Sequence, residues 1–288
     1  MQAIIITCYK DKDNLIRLID SFGKRVNIYV HIDKSSEELD IQKLRERFKD
    51  NKNLKFYSKY KISWGGYNHL LAIIDLMKIA YTENNSYFHI ISGQDYLVKN
   101  VEEFLEFFEN DNHMYMTLTE NEQLTLNVKS RYTRGTVNSN LHNYKLIKYV
   151  DVVYGTFRNK NNIGKITDIS KGMVWTSFPR DICEYVFDYI KMDTSFMKDL
   201  KHCIIPEEFF FQSIVNNSKY KNRIVKDNLR YTDWSYRNGS QPAYLDLTDY
   251  ESITNSNCFF ARKIDSTISR ELICSIDDVL NRKGLEME

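Results

Sequence analysis

The segment with the clearest potential for chemistry begins at Pro206 and carries two adjacent carboxylates, Glu207 and Glu208, followed by an apolar run at residues 209–215. Proline and acidic residues in a first turn predict a helix N-terminus. The helix dipole favours negative charge there, so an ionised carboxylate on this helix could act as a general base. The alternative is that both glutamates merely offset the dipole. Three consecutive Phe predict that the helix packs in the core.

Two further carboxylates follow apolar segments that have the pattern of strands. Asp33 comes directly after residues 27–32, and Asp95 lies shortly after residues 87–92. Ligands of parallel α/β sheets bind outside the carboxyl ends of the strands. We therefore expect one cleft with at least these two acids.

Arg262 and Lys263 follow directly on an apolar run that begins at Cys258. Charge at the end of a buried strand is unfavourable unless it has a partner. A guanidinium fork and an ammonium together match a diphosphate, while a surface turn is the alternative interpretation.

The sequence offers little for a metal ion or for a glycine-rich phosphate loop. Gly65 and Gly66 are too few for a dinucleotide fingerprint. The Asp-x-Asp triplet, residues 11–13, opens a predicted helix, where capping by Asp13 explains it better than ligation. Because a divalent cation wants several clustered oxygens, we predict no metal site and no cofactor.

Composition sets the broad class of protein. Apolar residues make up 42% and charged residues 27% of the 288, a globular balance, and the net charge of +1 gives no reason to expect nucleic acid as a partner. Five scattered Cys without a Cys-x-x-Cys predict reduced thiols in a cytosolic compartment. The longest apolar runs, such as residues 70–77, are too short for a transmembrane segment.

Strand and helix patterns alternate through the first half of the chain. The predicted strands are residues 3–9, 27–32, 54–56 and 87–92, and the predicted helices are 13–22, 40–48, 67–81 and 101–110. This alternation predicts a parallel sheet covered on both faces. The second half is less regular, with predicted strands at 114–118, 172–176 and 258–263 and predicted helices at 179–191, 206–215 and 266–282.

Seven motifs carry a family resemblance, in family order and from end to end. The chain resembles the glycosyltransferase family that contains the core-2/I-branching N-acetylglucosaminyltransferases and the peptide O-xylosyltransferases. The matching segments are residues 29–34, 64–66, 92–96, 206–211 and 228–230, Trp234, and residues 259–265.

The resemblance implies a GT-A type, Rossmann-like mixed sheet covered by helices. We expect one compact domain over residues 1–288, with a nucleotide-binding half over about 1–118 and an acceptor-binding, catalytic half over about 119–288. The implied activity is that of an inverting transferase with a UDP-sugar donor.

The resemblance also implies roles for individual residues. Glu208 falls on the general base of the family. Arg262 and Lys263 fall on the basic pair that grips the diphosphate in place of a metal. Asp33 would contact the nucleoside, and Asp95 would lie near the donor sugar and phosphate. The remaining candidates are Trp64 and Gly65 beside the nucleoside, and Trp175, Trp234, Arg230 and Arg131 in the acceptor side of the cleft.

Two departures from the family pattern bear on the donor sugar. Val174 stands where xylosyltransferases carry an acid, and Leu97 stands where the family usually has proline. Both departures put the sugar specificity in question, and Val174 in particular argues against xylose as the donor sugar. GlcNAc is the first choice, with xylose, glucose and galactose as alternatives.

The resemblance also bears on acceptor and location. The expected acceptor is a glycan or a lipid-linked glycan. Animal relatives have a membrane anchor, a stem and disulfides, and this sequence shows none of them. We therefore expect a microbial enzyme of surface-glycan synthesis, either cytoplasmic or peripheral at the inner face of the membrane.

Two rival functions belong to other classes. A glycoside hydrolase needs two carboxylates that flank one bond. Glu207 and Glu208 cannot do so, because neighbours on a helix point about 100° apart. The second rival is a non-catalytic nucleotide- or glycan-binding module that keeps the fold without the chemistry.

Overall fold

A seven-stranded sheet lies at the centre of the computed structural model, which describes residues 1–158 and 168–280. In chain order the strands are β1 (Gln2–Cys8), β2 (Asn27–Ile32), β3 (Leu54–Tyr57), β4 (Tyr87–Ser92), β5 (Asp95–Leu97), β6 (Met114–Tyr115), β7 (Ser177–Pro179), β8 (Ile224–Val225), β9 (Arg230–Thr232) and β10 (Phe260–Arg262). The helices are α1 (Lys12–Phe22), α2 (Ile41–Arg47), α3 (Tyr67–Thr82), α4 (Val101–Phe107), α5 (Leu126–Thr133), α6 (Lys145–Arg158), α7 (Arg180–Met192), α8 (Thr194–Leu200), α9 (Glu207–Asn216), α10 (Tyr250–Thr254) and α11 (Arg270–Val279).

The central sheet has the strand order β3-β2-β1-β4-β7-β6-β8. The first four strands are parallel, and β7 then runs antiparallel to both β4 and β6. This 3-2-1-4 parallel order is that of a Rossmann-like sheet. The predicted mixed α/β fold class is therefore confirmed.

Strand β1 is buried along its whole length because helices cover both faces of the sheet. Ile4 and Ile6 belong to a core cluster with residues of α1 and α11, whereas Ala3 and Ile5 belong to a second cluster with residues of α3, α7 and α9. Alternate side chains of a strand point to opposite faces, so one apolar run serves two cores. A strand of this kind reads as a continuous apolar segment, which is how the sequence presents it.

A second, three-stranded sheet of order β5-β10-β9 lies against the first. Strand β10 pairs antiparallel with β5 and parallel with β9, and this register sets Arg262 opposite Asp95. The predicted strand at the end of the chain is confirmed as β10. Strand β5 was not predicted, because its three residues are too few for a periodic pattern.

Three details correct the sequence-based assignments. Asp11, and not Asp13, caps α1, since its Oδ1 accepts a hydrogen bond from the backbone N–H of Asn14 at 3.0 Å. Helices α5, α6, α8 and α10 were not predicted. The last helix is described as far as Val279, and residues 281–282 of the predicted helix lie outside the described residues.

The predicted strand at residues 172–176 is wrong. That segment is irregular, and the strand begins only at Ser177. Gly172 explains the difference, because a Cβ built there would lie 1.9 Å from the carbonyl oxygen of Thr117. Its backbone N–H donates to the carbonyl of Glu208 at 2.9 Å. The segment thus follows the start of α9 instead of pairing as a strand, while the division into halves near residue 118 stays a prediction.

We predict that Gly172→Ala lowers the free energy of unfolding by more than ~3 kcal/mol, which exceeds the usual cost of overpacking a core. The reason is that the added methyl group would displace the backbone of Thr117 and not the end of a flexible side chain. Gly23→Ala is the matched control. A Cβ built on Gly23 would have no atom within 4 Å, so the only cost there is that of its positive φ of +56°. A left-handed residue alone costs about 1–2 kcal/mol. Urea unfolding monitored by circular dichroism measures both, and equal losses would contradict the close approach.

Candidate functional site

Helix α9 brings the two adjacent glutamates to the edge of the core. Pro206 occupies the N-cap position and Glu207 begins the helix. From Phe209 to Val215 every residue is buried, which confirms the predicted core helix. Glu208 keeps 24% of its side chain exposed. The helix therefore holds one carboxylate rigidly where solvent or a ligand can reach it.

The carboxylate of Glu208 faces two cations. Its Oε2 lies 3.0 Å from Nζ of Lys171 and 3.4 Å from Nη1 of Arg131. Burial raises the pKa of Glu208 above its ordinary value of 4.5, and the charge of Glu207 acts in the same direction. Lys171 and Arg131 oppose this rise in pKa. Glu208 is therefore a stronger base than a free carboxylate, while the two neighbouring cations favour its ionised form.

Glu207 has different surroundings, although it is the next residue. It is 5% exposed, and its Oε1 lies 2.9 Å from Nδ1 of His69. The other ring nitrogen, Nε2, lies 3.0 Å from Oγ1 of Thr7 near the end of β1. These contacts join α9, α3 and β1 at the carboxyl edge of the sheet. Within the described residues, Oε2 of Glu207 is buried without a hydrogen-bond partner.

Trp175 connects this network to the predicted basic pair. Its ring lies 6.1 Å from the ring of His69, and Cζ of Arg262 lies 4.4 Å from its centroid. A guanidinium at this distance from an indole makes a cation–π interaction. The glutamates of α9 and the cation of β10 therefore belong to one continuous set of contacts, although Trp175 lies on the irregular segment before β7.

Arg262 and Asp95 form a buried, incompletely paired couple. Nε of Arg262 lies 3.8 Å from Oδ1 of Asp95. Oδ2 of Asp95 accepts hydrogen bonds from the backbone N–H and the hydroxyl of Ser92. In the described parts of the chain, Oδ1 of Asp95 and the Nε and Nη1 atoms of Arg262 are buried without a hydrogen-bond partner. Burial lowers the pKa of Arg262, whereas the nearby charge of Asp95 raises it. Because the buried guanidinium is only partly paired, binding of an anion here would be favourable.

Asp33 organises the loops at the end of β2. Its Oδ1 accepts from the N–H and the hydroxyl of Ser35, both at 2.8 Å, and from the N–H of Ile62 at 3.3 Å. In His31, two residues earlier on β2, burial lowers the imidazole pKa to about 4, so the ring is neutral at pH 7. Its Nε2 accepts from the backbone N–H of Tyr60 at 3.0 Å. The acid predicted to contact a nucleoside thus lies at a strand end, as expected.

The predicted Trp64–Gly66 motif forms a loop that contacts the segment before α9. The carbonyl of Gly65 accepts from the N–H of Ile205 at 2.9 Å, and a Cβ on Gly65 would lie 3.0 Å from Cγ1 of Ile205. With φ at +70°, this position favours glycine for conformation as well as space. Trp64 remains 72% exposed, so its ring is available to a ligand.

Two further candidates, Arg230 and Trp234, lie in contrasting positions. Arg230 is buried, and its Nη2 donates to the carbonyls of Ile90 and Thr176 at 3.2 Å each. Burial lowers the pKa of Arg230 to about 10. These contacts are those of a structural residue, and a role in acceptor binding stays a prediction. Trp234 is 58% exposed on the loop after β9.

Sequence reasoning missed two residues of this network, Lys171 and His69. The contact of His69 with Glu207 spans 138 residues of sequence. Lys171 precedes Gly172 on a segment without a periodic pattern. No local signal indicated either contact, because each depends on how distant segments pack.

Over residues 1–158 and 168–280, no group of three or more His, Cys, Asp or Glu residues could hold a metal ion. No helix in those same ranges has the length and apolar character needed to span a membrane. All five cysteines are free thiols.

A sheet of this order, with polar groups gathered at the carboxyl ends of its strands, is typical of α/β proteins that bind ligands there. The sequence model described as Core-2/I-Branching enzyme matches residues 3–257. The chain belongs to this family of glycosyltransferases, and the GT-A type fold class that the resemblance implied is confirmed.

Curated relatives carry the name xylosyltransferase. The chain is 23% identical over 281 residues to Xylosyltransferase of Ciona intestinalis, with 86% of this chain and 30% of that protein covered. It is 22% identical over 274 residues to Xylosyltransferase 1 of Mus musculus, with 88% of this chain and 27% of that protein covered. The chain thus spans less than a third of the length of these two relatives.

Among solved structures, the chain is similar to TarS 1–349 of S. aureus, with a TM-score of 0.38, 12% identity, and coverage of 77% of this chain and 56% of that chain. It is also similar to the bifunctional WbbM in its apo form, with a TM-score of 0.40, 11% identity, and coverage of 98% of this chain and 51% of that chain.

We predict that Lys171→Met raises the pKa of Glu208, because it removes the nearest cation that favours the ionised carboxylate. The side-chain carboxyl ¹³C shift of Glu208, followed against pH and assigned with Glu208→Gln, measures the change. Lys198→Met, at an exposed lysine of α8, is the control and should leave that pKa unchanged. A pKa that stays constant or falls in Lys171→Met would contradict the ion pair.

Proposed function

We propose that this chain transfers a sugar from an α-linked UDP-sugar to a glycan hydroxyl, with inversion to a β linkage. One observation carries the proposal. The helix turn that holds Glu208 is connected through Glu207, His69 and Trp175 to the buried guanidinium of Arg262. A base for the acceptor and a cation for the leaving group therefore belong to one site.

In the proposed reaction, the acceptor oxygen attacks the anomeric carbon while its proton passes to the carboxylate of Glu208. The bond between the anomeric carbon and the β-phosphate oxygen breaks, and UDP departs with an additional negative charge. Arg262 and Lys263 stabilise that charge, since preorganised donors are most effective where charge develops. Attack from the face opposite the departing UDP inverts the configuration.

The nucleoside is assigned to Asp33, with Trp64 and Gly65 beside it. Asp33 suits this role because it lies where ligands of such sheets bind. Asp95 is assigned to the donor sugar and phosphate, supported by its Oδ1, which is buried without a hydrogen-bond partner within the described residues. Trp175 and Arg131 would lie toward the acceptor.

GlcNAc is the first choice of donor sugar, and UDP-xylose, UDP-glucose and UDP-galactose are the alternatives. Val174, next to Trp175 and 5% exposed, supports a donor other than xylose, because xylosyltransferases of the family carry an acid there. The relatives named xylosyltransferase make xylose the necessary comparison. We further propose a glycan or lipid-linked glycan acceptor and a cytoplasmic location, or one peripheral at the inner face of the membrane.

A UDP-release assay with a panel of UDP-sugars, with and without acceptor glycans, tests the proposal. Acceptor-dependent release with one donor, and a product whose new linkage is β by NMR, is the expected result. Hydrolysis of a glycan without any nucleotide donor would favour a hydrolase. UDP binding without turnover on any acceptor would favour a non-catalytic module.

We predict that Glu208→Gln lowers the turnover number by ~10²–10⁴-fold, because the amide cannot accept the acceptor proton. UDP affinity should stay near that of the wild type. Glu207→Gln is the matched control on the same turn. It should be far milder, since its amide oxygen can still accept from His69. A larger loss of turnover in Glu207→Gln would transfer the role of base to Glu207.

We also predict that EDTA leaves the rate unchanged, because fixed cations take the place of a divalent metal. Lys263→Ala should lower the rate by ~10²–10³-fold, the cost of removing one preorganised donor. Lys198→Ala, at an exposed lysine, is the control. Activity that disappears in EDTA and returns with Mn²⁺ would overturn the metal-free mechanism and direct attention to Asp95.

A further inference from the structure

Two lysines from distant parts of the chain approach the same tyrosine. Lys10 follows β1, and its Nζ donates to the hydroxyl of Tyr244 at 3.0 Å and lies 5.2 Å from the ring centroid. Nζ of Lys263 lies 5.8 Å from that centroid and donates to Oγ of Ser240 at 3.1 Å. We refer to Lys10, Tyr244 and Lys263 as the lysine–tyrosine cluster.

The cluster carries two positive charges without a paired carboxylate. Among the described residues, the polar side-chain contacts of Lys10 and Lys263 are to hydroxyl groups. Burial lowers the pKa of Lys263, and although Tyr244 opposes this, Arg262 and Lys10 lower it further. Two ammonium groups near the same ring repel each other, and an anion bound beside both would offset that repulsion. The arrangement therefore favours an anionic ligand.

The tyrosine hydroxyl supports the same conclusion. It accepts from Nζ of Lys10 and, at 3.4 Å, from Nε2 of Gln94. With its oxygen engaged by two donors, its own proton is available to an external acceptor. Backbone hydrogen bonds fix its position, since the N–H of Leu245 donates to the carbonyl of Lys263 at 2.9 Å.

The cluster is continuous with the buried pair described above. The carbonyl of Gln94 accepts from the N–H of Ile264 at 2.8 Å, and the N–H of Gln94 donates to Oγ of Ser92 at 3.2 Å. Ser92 in turn holds the carboxylate of Asp95. Gln94 thus joins the lysine–tyrosine cluster to the loop that carries Asp95.

We propose that Lys10 and the Tyr244 hydroxyl bind the phosphate oxygens of the nucleotide diphosphate together with Lys263. This inference rests on the proposed function and adds a third cation, supplied by the loop between β1 and α1. Lys10 would contact phosphate directly. Tyr244 would hold the Lys10 ammonium in place and donate its own O–H to the same group.

A purely local role for Lys10 is the rival explanation. Lys10 also borders a cavity of about 430 Å³, and four acids, Asp11, Asp13, Glu38 and Asp265, line that cavity. In that case Lys10 would offset these acids and contribute nothing to nucleotide binding. Lys12 lines the same cavity and is exposed, so it provides a matched control.

Calorimetric titration of the full chain with UDP and, separately, with uridine tests the inference. Lys10→Gln should weaken UDP binding by about ten- to a hundredfold, the usual effect of losing a hydrogen bond to a charged group. Uridine affinity should not change, because uridine lacks the diphosphate. Tyr244→Phe should weaken UDP binding by about two- to tenfold, and Lys12→Gln should leave it unchanged.

The outcomes separate this inference from the proposed function. If the wild-type chain does not bind UDP, the proposed function fails. If the wild type binds UDP and Lys10→Gln matches Lys12→Gln, the lysine–tyrosine cluster is not a phosphate site. Equal weakening of UDP and uridine by Lys10→Gln would likewise overturn the inference, since it would show a general structural effect.

Discussion

The structure depends on burying two guanidinium groups beside one carboxylate. Arg230 on β9 and Arg262 on β10 are 5% and 6% exposed, and Asp95 on β5, opposite Arg262, is fully buried. Burial lowers the pKa of both arginines, and Asp95 opposes the shift in each. Two positive charges and one negative charge leave this region with an excess of buried positive charge. Such an excess is unfavourable in an isolated protein and becomes favourable when an anion binds.

The two arginines differ in how their hydrogen-bonding capacity is used. Arg230 donates to the carbonyls of Ile90 and Thr176, and its guanidinium lies 5.1 Å from the ring centroid of Phe260. It therefore ties the central sheet to the small sheet. Within the described residues, Arg262 has two buried nitrogens without a hydrogen-bond partner and lies over Trp175. The same residue type thus serves structure in one place and is left available to a ligand in the other.

The two adjacent glutamates at the start of α9 also differ in their surroundings. Successive residues on a helix differ by about 100° in direction, so Glu207 and Glu208 meet different surroundings. Glu207 is buried against His69, whereas Glu208 faces Lys171 and Arg131. The backbone contact between Gly172 and Glu208 places Lys171 beside the carboxylate. The close backbone packing at Gly172, which a larger residue would prevent, therefore helps to place a positive charge beside Glu208.

The sequence by itself determined the elements whose signals are local. Apolar runs predicted β1 to β4, helical patterns predicted α1 to α4, and the Pro-Glu-Glu start predicted α9. The ordered motifs also indicated the family, which the sequence model confirmed. Only the tertiary structure decided that Trp175 lies outside a strand, that His69 contacts Glu207, and that Lys10 and Lys263 both lie near the ring of Tyr244. Those contacts join segments far apart in the chain, so they depend on packing and on close backbone approach, which no local pattern of residues encodes.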